Sequence, residues 1–591
     1  MVFLCRLMGT FRRSLGVRGP FSKSSRLCDK KRYCQAATEQ LTGTFTPFME
    51  MLQNRRMEAS RSVLVQVQSA QSYKQLFTYC ESMGKVKCMF HYTEGPEPMH
   101  FIIVEFESES DVANVLRSSS HIQENHSVPV ASQFLWFRAA SKKFGTLKAS
   151  AQAKLTLENG TDVRNENDLK AALLRCNTVS EQIEQLHSLT KLNDVGHRLR
   201  FLTAKQVETT ISGMFPRICA FPFGSSVNGF GKMGCDLDIV LRLTQDREND
   251  NSRLIYHCKA ASGSERSTNQ RNMETIGDLI HLFLPGCNQV RRILQARVPI
   301  IKYYQHLTNV ECDLSMSNMT GIYMSDFLYM MGEIDPRVRP LVFAIRKWAK
   351  EVNLTNSSPG RWITNFSLTL LVLAFLQKPL QSPPILPTLN RLAKLAGPND
   401  YYVTEDGIDC TFLRDITKLK FQTQNTSSLE VLLREFFEYY AQFDFGAKAI
   451  CLNEAVAISK PEHSPLYIVN PIEKGLNVSK NVSIEEVEKF KIEVRNAAWI
   501  LESKERNYES TGLIAILDSK DHIKNKLPFV LSAKNNRLME ISELFDEEER
   551  NSDPNVEYKN DEVKKQVRAI KKKTTETIKS LQFKHTRQKR R

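Results

Sequence analysis

No stretch of this 591-residue chain approaches the roughly 20 apolar residues that a membrane-spanning helix needs; the longest apolar run, Phe366 to Leu376, falls well short. The chain also lacks paired cysteines. Its thirteen Cys form no C-x-x-C pair and no Cys/His ladder, which argues against structural zinc and against a disulfide framework. Thiols so scattered fit a reducing compartment. Acidic residues are missing from both ends: none precedes Asp29, and Glu576 alone follows Glu562. Residues 1–28 therefore carry +6 and residues 563–591 carry +11 of the net +15, leaving −2 on the 534 residues between. The body is nearly neutral, so overall basicity is no argument for nucleic-acid binding. Such a function has to be read from sites.

What is present is an ordinary globular composition, 41% hydrophobic and 25% charged, in a chain long enough for roughly three to four domains. As a helix, the N-terminus places Phe3, Leu4, Leu7, Met8, Phe11 and Leu15 on one side, beside Arg6, Arg12 and Arg13. An Arg- and Ser-containing, acid-free amphipathic leader predicts a mitochondrial presequence, over residues 1–40, and thus a matrix protein. At the other end, Val563, Val567, Ile570, Thr574, Ile578 and Leu581 recur at near-helical spacing among lysines. That tail suits RNA phosphates or an anionic membrane surface, or is simply solvated.

Between the tails, residues 58–140 alternate in a readable way. SVLVQV (62–67), VKCMFHYT (86–93), HFIIVEFES (100–108) and FLWFRA (134–139) read as strands, and residues 72–84 and 108–119 as helices. The order β-α-β-β-α-β resembles an RNA-recognition-motif fold, an α/β module. Base-binding versions stack aromatics on the two central strands. Here Phe101 and Phe106 flank Ile103, and Leu64 stands where a ring is expected, so the platform is largely missing. A protein contact, a homodimer through this module, is expected instead. Residues 141–177 are polar and read as a linker.

The chemistry lies in FPFGSSVNGFGKMGCDLDIVLRL (221–243). CDLDIVLRL reads as a strand, on which Asp236 and Asp238 share one face. Two carboxylates so close repel unless a cation sits between them, and a divalent metal is the usual answer. Ten residues upstream, the small-residue turn at Gly224 and Ser225 lets backbone amides approach phosphate oxygens. RVPIIKYY (297–304) then leads into VECDLSM (310–316), which puts Asp313 on a neighbouring strand. Three carboxylates on adjacent strands suit two-metal phosphoryl or nucleotidyl transfer. Arg346 and Lys350 lie four apart on a helix whose apolar face is Val338, Leu341, Val342, Ile345 and Trp348; a like-charged pair at that spacing is costly alone, so an anionic ligand is its natural partner.

This combination resembles the DNA polymerase β-like nucleotidyltransferases. RPLVFAIRKWAK (339–350), GRWITNFSLTLLVLAFLQ (360–377), LEVLLREFFEYYAQFDF (429–445) and SPLYIVNPIEKGLNVSKNV (464–482) are similar to the central-domain helices, the poly(A)-polymerase-associated segment and the nucleotide-recognition motif of its template-independent RNA-tailing branch. With the leader, the resemblance is to the mitochondrial polyadenylating members. It implies an α+β fold: a nucleotidyltransferase palm at 178–335, a helical central domain at 336–510 and a C-terminal extension at 511–591. It also implies Asp236, Asp238 and Asp313 as a triad holding Mg²⁺ or Mn²⁺, with Gly224, Ser225, Arg346 and Lys350 on the triphosphate of ATP and Phe366 stacked on the base. Asn365 stands where relatives often have Ser, and Met324 where they often have a ribose-binding Asn, leaving Asn318 and Ser325 as candidates. Leu476 replaces the His that uridine-adding relatives often carry, which favours ATP over UTP, with the RNA 3′ end as acceptor. An RNA uridylyltransferase and a non-catalytic RNA-binding scaffold are the alternatives.

Overall fold

The computed structural model describes residues 45–518 apart from 121–131, 139–154, 162, 216–217, 244–264, 317, 357, 359, 381 and 503–511. The leader and the basic tail therefore lie outside the described residues. No helix among those described is long and apolar enough to cross a membrane.

A first helix, α1 (Phe48–Ser60), leads into β1 (Ser62–Val67), α2 (Tyr73–Glu81), β2 (Val86–Glu94), β3 (Met99–Phe106), α3 (Glu109–Arg117), β4 (Phe134–Trp136) and β5 (Leu155–Leu157). Their sheet has the order β4-β1-β3-β2-β5. The period-two alternation on β3 divides two cores. Ile102, Val104 and Phe106 face α2 and α3, with Leu76, Cys80, Val112 and Val115. Phe101 and Ile103 face the other way, with Leu64, Phe90 and Tyr92, onto a helix of the next domain. Part of the stretch read as a linker is ordered structure. Leu155–Leu157 extends the sheet beside β2. Glu166–Leu173 is a helix, α4, because the Asn165 side chain caps it and Leu169 and Leu173, one turn apart, are buried.

Helices α5 (Val179–Thr190) and α6 (Asp194–Ile211) precede a second sheet. It contains β6 (Ile218–Phe223), β7 (Leu237–Leu243), β8 (Cys287–Ile293), β9 (Ile300–Gln305) and β10 (Val310–Ser315), with α7 (Glu265–Phe283) between β7 and β8. The order is β6-β7-β10-β9-β8, with β7 and β10 parallel and the other pairs antiparallel. Leu237, Ile239 and Leu241 pack under α6 and α7. The opposite face of β7 carries Asp238 and Val240 toward α8 (Met319–Ile334), whose Ile322 packs on Val240.

The second half of the described chain shares one large core. It is built from α8, α9 (Val338–Glu351), α10 (Asn365–Gln377), α11 (Leu389–Lys394), α12 (Leu429–Gln442), α13 (Ile484–Glu502) and α14 (Leu513–Leu517). A two-stranded ribbon, β11 (Lys448–Cys451) and β12 (Val456–Ser459), lies beside it. Trp348 on α9 is fully buried against Phe437 and Phe490.

Candidate active site

The parallel pairing of β7 and β10 sets Asp238 directly opposite Asp313. Asp236, just ahead of β7, completes the group. The charge of Asp313 acts on both of the others. Burial, followed by the charges of Asp313 and Asp236, pushes the Asp238 carboxyl up to about 7. Burial and the nearby Glu311 also raise Asp236. An acid raised by burial and then by two neighbouring acids is a group whose charge a bound cation would relieve.

The side chains do not share a single point: among the described residues, no three His, Cys, Asp or Glu groups converge. Lys302 already occupies one of the acids. It stands opposite Asp313 on β9 and places Nζ 2.9 Å from both Asp313 Oδ1 and Glu311 Oε1. The donor set, all hard carboxylate oxygens, nevertheless fits a hard divalent cation, provided Asp313 exchanges the ammonium for it.

The turn after β6 is built around Asp238. Gly224 takes φ +71°, and a Cβ there would collide with Asp238 Oδ2. Glycine is required on both counts. The Gly224 N–H donates to Ser325 Oγ at 2.7 Å, and that hydroxyl donates to Gly321 O at 2.7 Å. Ser325 is buried and committed to holding the turn, so it is not available as a ribose contact. Ser226 Oγ donates to Asp236 O at 2.8 Å, tying the turn to the first acid. Ser225, half-buried, lies between them. The buried Arg200 of α6 donates to Cys235 O and braces the same segment from behind.

A positive cluster forms beside this turn. Arg346 Nη1 donates to Phe230 O at 2.7 Å, and burial lowers its pKa to about 10. Lys232 is also lowered, first by burial and then by the charges of Lys350, Arg346 and Lys347. Glu166 faces this group, paired with Lys347 and 3.6 Å from Lys350. Sequence reading found Arg346 and Lys350 but missed Lys232 and Lys347. The signal was a lone lysine within the glycine-rich loop between the turn and the acids. That loop is fixed in place: Leu192 N donates to Gly231 O and Met233 N to Thr190 O, each at 2.9 Å.

Asn318 stands just ahead of α8 without a side-chain capping bond, and its amide oxygen lies 3.4 Å from Thr320 Oγ1. Thr320 in turn donates to Glu473, which also pairs with Arg297 at 3.1 Å, so the loop around Glu473 touches α8 and the segment before β9 here. Asn470 and Asn477 shape that loop. Asn470 Oδ1 accepts from the N–H of Ile472 and Glu473, and Asn477 Oδ1 from the N–H of Ile468 and Ser479. Met324 is buried in the helical core. Phe366 lies in the first turn of α10, half-buried against that core; its surroundings do not join it to the acids.

Residues 179–333 match the family described as "Poly(A) RNA polymerase, mitochondrial-like, central palm domain", and residues 428–491 that described as "Cid1 family poly A polymerase". The mitochondrial poly(A) RNA polymerase of Drosophila melanogaster is 46% identical over 94% of this chain and 94% of its own length. This chain belongs to the mitochondrial poly(A) RNA polymerase family. It is accordingly an enzyme of the polynucleotide adenylyltransferase class. The Homo sapiens member is 36% identical over 80% of this chain and 81% of its own. A crystal structure of mtPAP in complex with ATPγS superposes with a TM-score of 0.72 at 38% identity, covering 80% of this chain and 99% of that one. The mtPAP complexes also include UTP, GTP and CTP. The likeness supports the mixed α+β architecture with a nucleotidyltransferase palm.

Proposed function

We propose that this enzyme transfers AMP from ATP to the 3′-hydroxyl of mitochondrial RNA in the matrix, without a template, releasing pyrophosphate. The single observation that carries the chemistry is the register of Asp238 against Asp313 beside Asp236. Asp236, Asp238 and Asp313 would hold Mg²⁺ or Mn²⁺, two ions that supply activation of the attacking hydroxyl and charge neutralisation on the leaving group. Gly224 and Ser225 receive the triphosphate at the turn, while Arg346, Lys350, Lys232 and Lys347 orient its outer phosphates and balance their charge. Asn318 meets the ribose and Phe366 the base. Lys302 pairs with Asp313 and would give it up to the metal. Attack is in line, with no covalent enzyme intermediate.

In this reading, residues 58–140 form an RNA-recognition-motif-like module, 178–335 the palm, 336–510 the central domain and 511–591 the extension. The buried sheet face of the first module supports a protein-contact role over base stacking. Self-association into a homodimer through this module would use its edges, where Trp136 and Leu157 are exposed.

The test is extension of a labelled oligoadenylate primer with each ribonucleotide in turn. A ladder with ATP, lost in Asp238→Ala protein that remains folded, supports the reading. A ladder mainly with UTP would keep the mechanism and overturn the base assignment. Activity retained by Asp238→Ala would overturn the site.

A further inference from the structure

An aromatic step lies against α8, the helix that packs on the acid-bearing face of β7. Residues 402–404 and 408–410 form a small hairpin: Cys410 N donates to Tyr402 O at 2.8 Å and Thr404 N to Ile408 O at 3.0 Å. At its base, Tyr402 is 38% exposed. Its ring lies 5.5 Å from that of Tyr323, in the second turn of α8. The Arg414 guanidinium sits 4.4 Å over Tyr402.

Arg414 cannot leave this position cheaply. It pairs with the buried Asp326 at 2.7 Å and donates to the carbonyls of Asp400 at 2.6 Å, Phe412 at 3.2 Å and Cys410 at 2.9 Å. One side of the tyrosine pair is therefore pinned by a satisfied buried cation, while Tyr402 stays partly open to water. A rigid, pre-ordered aromatic surface of this kind loses little entropy when a ring stacks on it.

The step is aligned with the acids. Positions 236, 238, 240 and 242 lie on one face of β7, so Arg242 is about 13 Å along the strand from Asp238. Arg242 is exposed, and its charge is close enough to Tyr323 to lower the phenol against the stronger upward effect of burial. Across the hairpin, Ile408 and Asp409 line a recess of about 400 Å³ with Ile472, Glu473 and Leu476 of the recognition loop. The recess carries mixed charge, Asp409 and Glu473 beside Lys474, with Glu473 held by Arg297, whereas the exposed Arg242 offers a cation to a phosphate. A strand laid along this face with its backbone on Arg242 would bring its bases to the tyrosines.

Resting on the RNA-tailing reading, we propose that Tyr402, backed by Arg414 and Tyr323, is the stacking platform for bases of the RNA primer just upstream of its 3′ end, with Arg242 on the adjoining phosphates. Tyr401 provides the internal control. It is 68% exposed, but in this extended segment successive side chains point to opposite sides, so it faces away.

The test uses the full chain and a short oligoadenylate with 2-aminopurine at the penultimate position. Stacking quenches its fluorescence on binding to wild-type protein; no quenching overturns the proposal without any variant. Tyr402→Ala is expected to weaken primer binding about 5- to 150-fold, the range for one lost base–aromatic stack. Tyr402→Phe restores affinity, and Tyr401→Ala changes it less than twofold (about the measurement error, far below a lost stack). The thermal shift given by ATP reports that each variant is folded. Unchanged primer affinity in folded Tyr402→Ala overturns the platform, and an altered sedimentation coefficient in that variant would assign the face to a protein partner. Tyr402-dependent binding by a wild-type protein that extends no primer would leave the platform standing and remove the tailing reading instead.

Discussion

Arg198 is expected to be worth more to this fold than any surface ion pair. Glu105, on β3, is fully buried at the contact between the first module and α6. Arg198 Nη1 reaches its Oε2 at 2.7 Å, Lys87 Nζ its Oε1 at 2.8 Å and Arg61 its Oε1 at 3.4 Å. Burial pushes the Glu105 carboxyl up, but the Lys87 hydrogen bond and the Arg198 charge outweigh it, and the net shift is downward. Arg198 also pairs with Asp194 at 2.8 Å and lies 4.4 Å over the Phe90 ring. Removing one partner of a buried pair costs about 3–5 kcal/mol. Lys87 remains on Glu105 here, which places Arg198→Ala near the lower end, about 3 kcal/mol.

Separating charge from packing needs a cycle of Arg198→Met, Glu105→Gln and the double variant, because the methionine stem still covers Phe90. A coupling of at least about 1.5 kcal/mol is expected for a close buried charge pair. Since a multidomain chain does not unfold in a single two-state step, the readout is native-state hydrogen exchange of α6 amides, not a single melting temperature. Coupling below about 0.5 kcal/mol, the level of non-additivity between distant sites, would refute the claim that this pair holds the module to the palm.

The same site-level reasoning gives four further outcomes. Because the folded-state pKa of Asp238, about 7, exceeds its unfolded value, its ionisation destabilises the metal-free protein as pH rises from about 4 through 7; Asp238→Asn should therefore be more stable than wild type at pH 8 in EDTA, by on the order of 4 kcal/mol, and match it near pH 4. Added Mg²⁺ should stabilise wild type more at pH 8 than at pH 6, since a proton must leave Asp238 first, as differential scanning fluorimetry would show. Gly224→Ala, with its positive φ and its collision against Asp238, should lower kcat by about 100-fold or more, on the scale of misplaced catalytic groups, in single-turnover extension assays. Lys232→Met should raise the KM for ATP about 10-fold, as a charged phosphate contact of roughly 1.5 kcal/mol predicts, without altering primer affinity in anisotropy titrations.

The parts of this site legible in the sequence were those with short-range rules. Asp236 and Asp238 share a face because strand side chains repeat every two residues, and Arg346 and Lys350 share one because helical side chains repeat every four. The strand carrying Asp313 was readable too, from its apolar neighbours. Its partner was not, because a register between β9 and β10 has no local signature, and Lys302 meets Asp313 only through that register. Ser325 looked like a free hydroxyl by position alone; the turn at Gly224, 101 residues earlier in the chain, consumes it. The supposed linker failed for a related reason. Leu155–Leu157 has too few residues to announce a strand, and it becomes one by adding to the edge of β2.

The missing stacking residues of the first module have a structural cause. Phe101 is 1% exposed and stacks on Tyr92 at 5.3 Å, and the Tyr92 hydroxyl donates to Leu307 O of the palm at 2.7 Å. Leu64 and Ile103 lie beside them against Val195, Leu199 and Leu202 of α6. A position that must fill a core is under pressure to be apolar and shape-matched, and an exposed ring offered to a base would be out of place there. Further along, Ala204, Val207 and Ile211 of the same helix pack under the acid-bearing sheet, and Arg200 braces Cys235 just before Asp236. One helix thus joins the two sheets, so loosening the first module should be felt at the acids through Arg200. Phe101→Ala, a buried aromatic truncation costing about 3–5 kcal/mol, should therefore lower kcat while leaving primer affinity intact. A loss of primer affinity at unchanged kcat would mean that this face reads RNA after all.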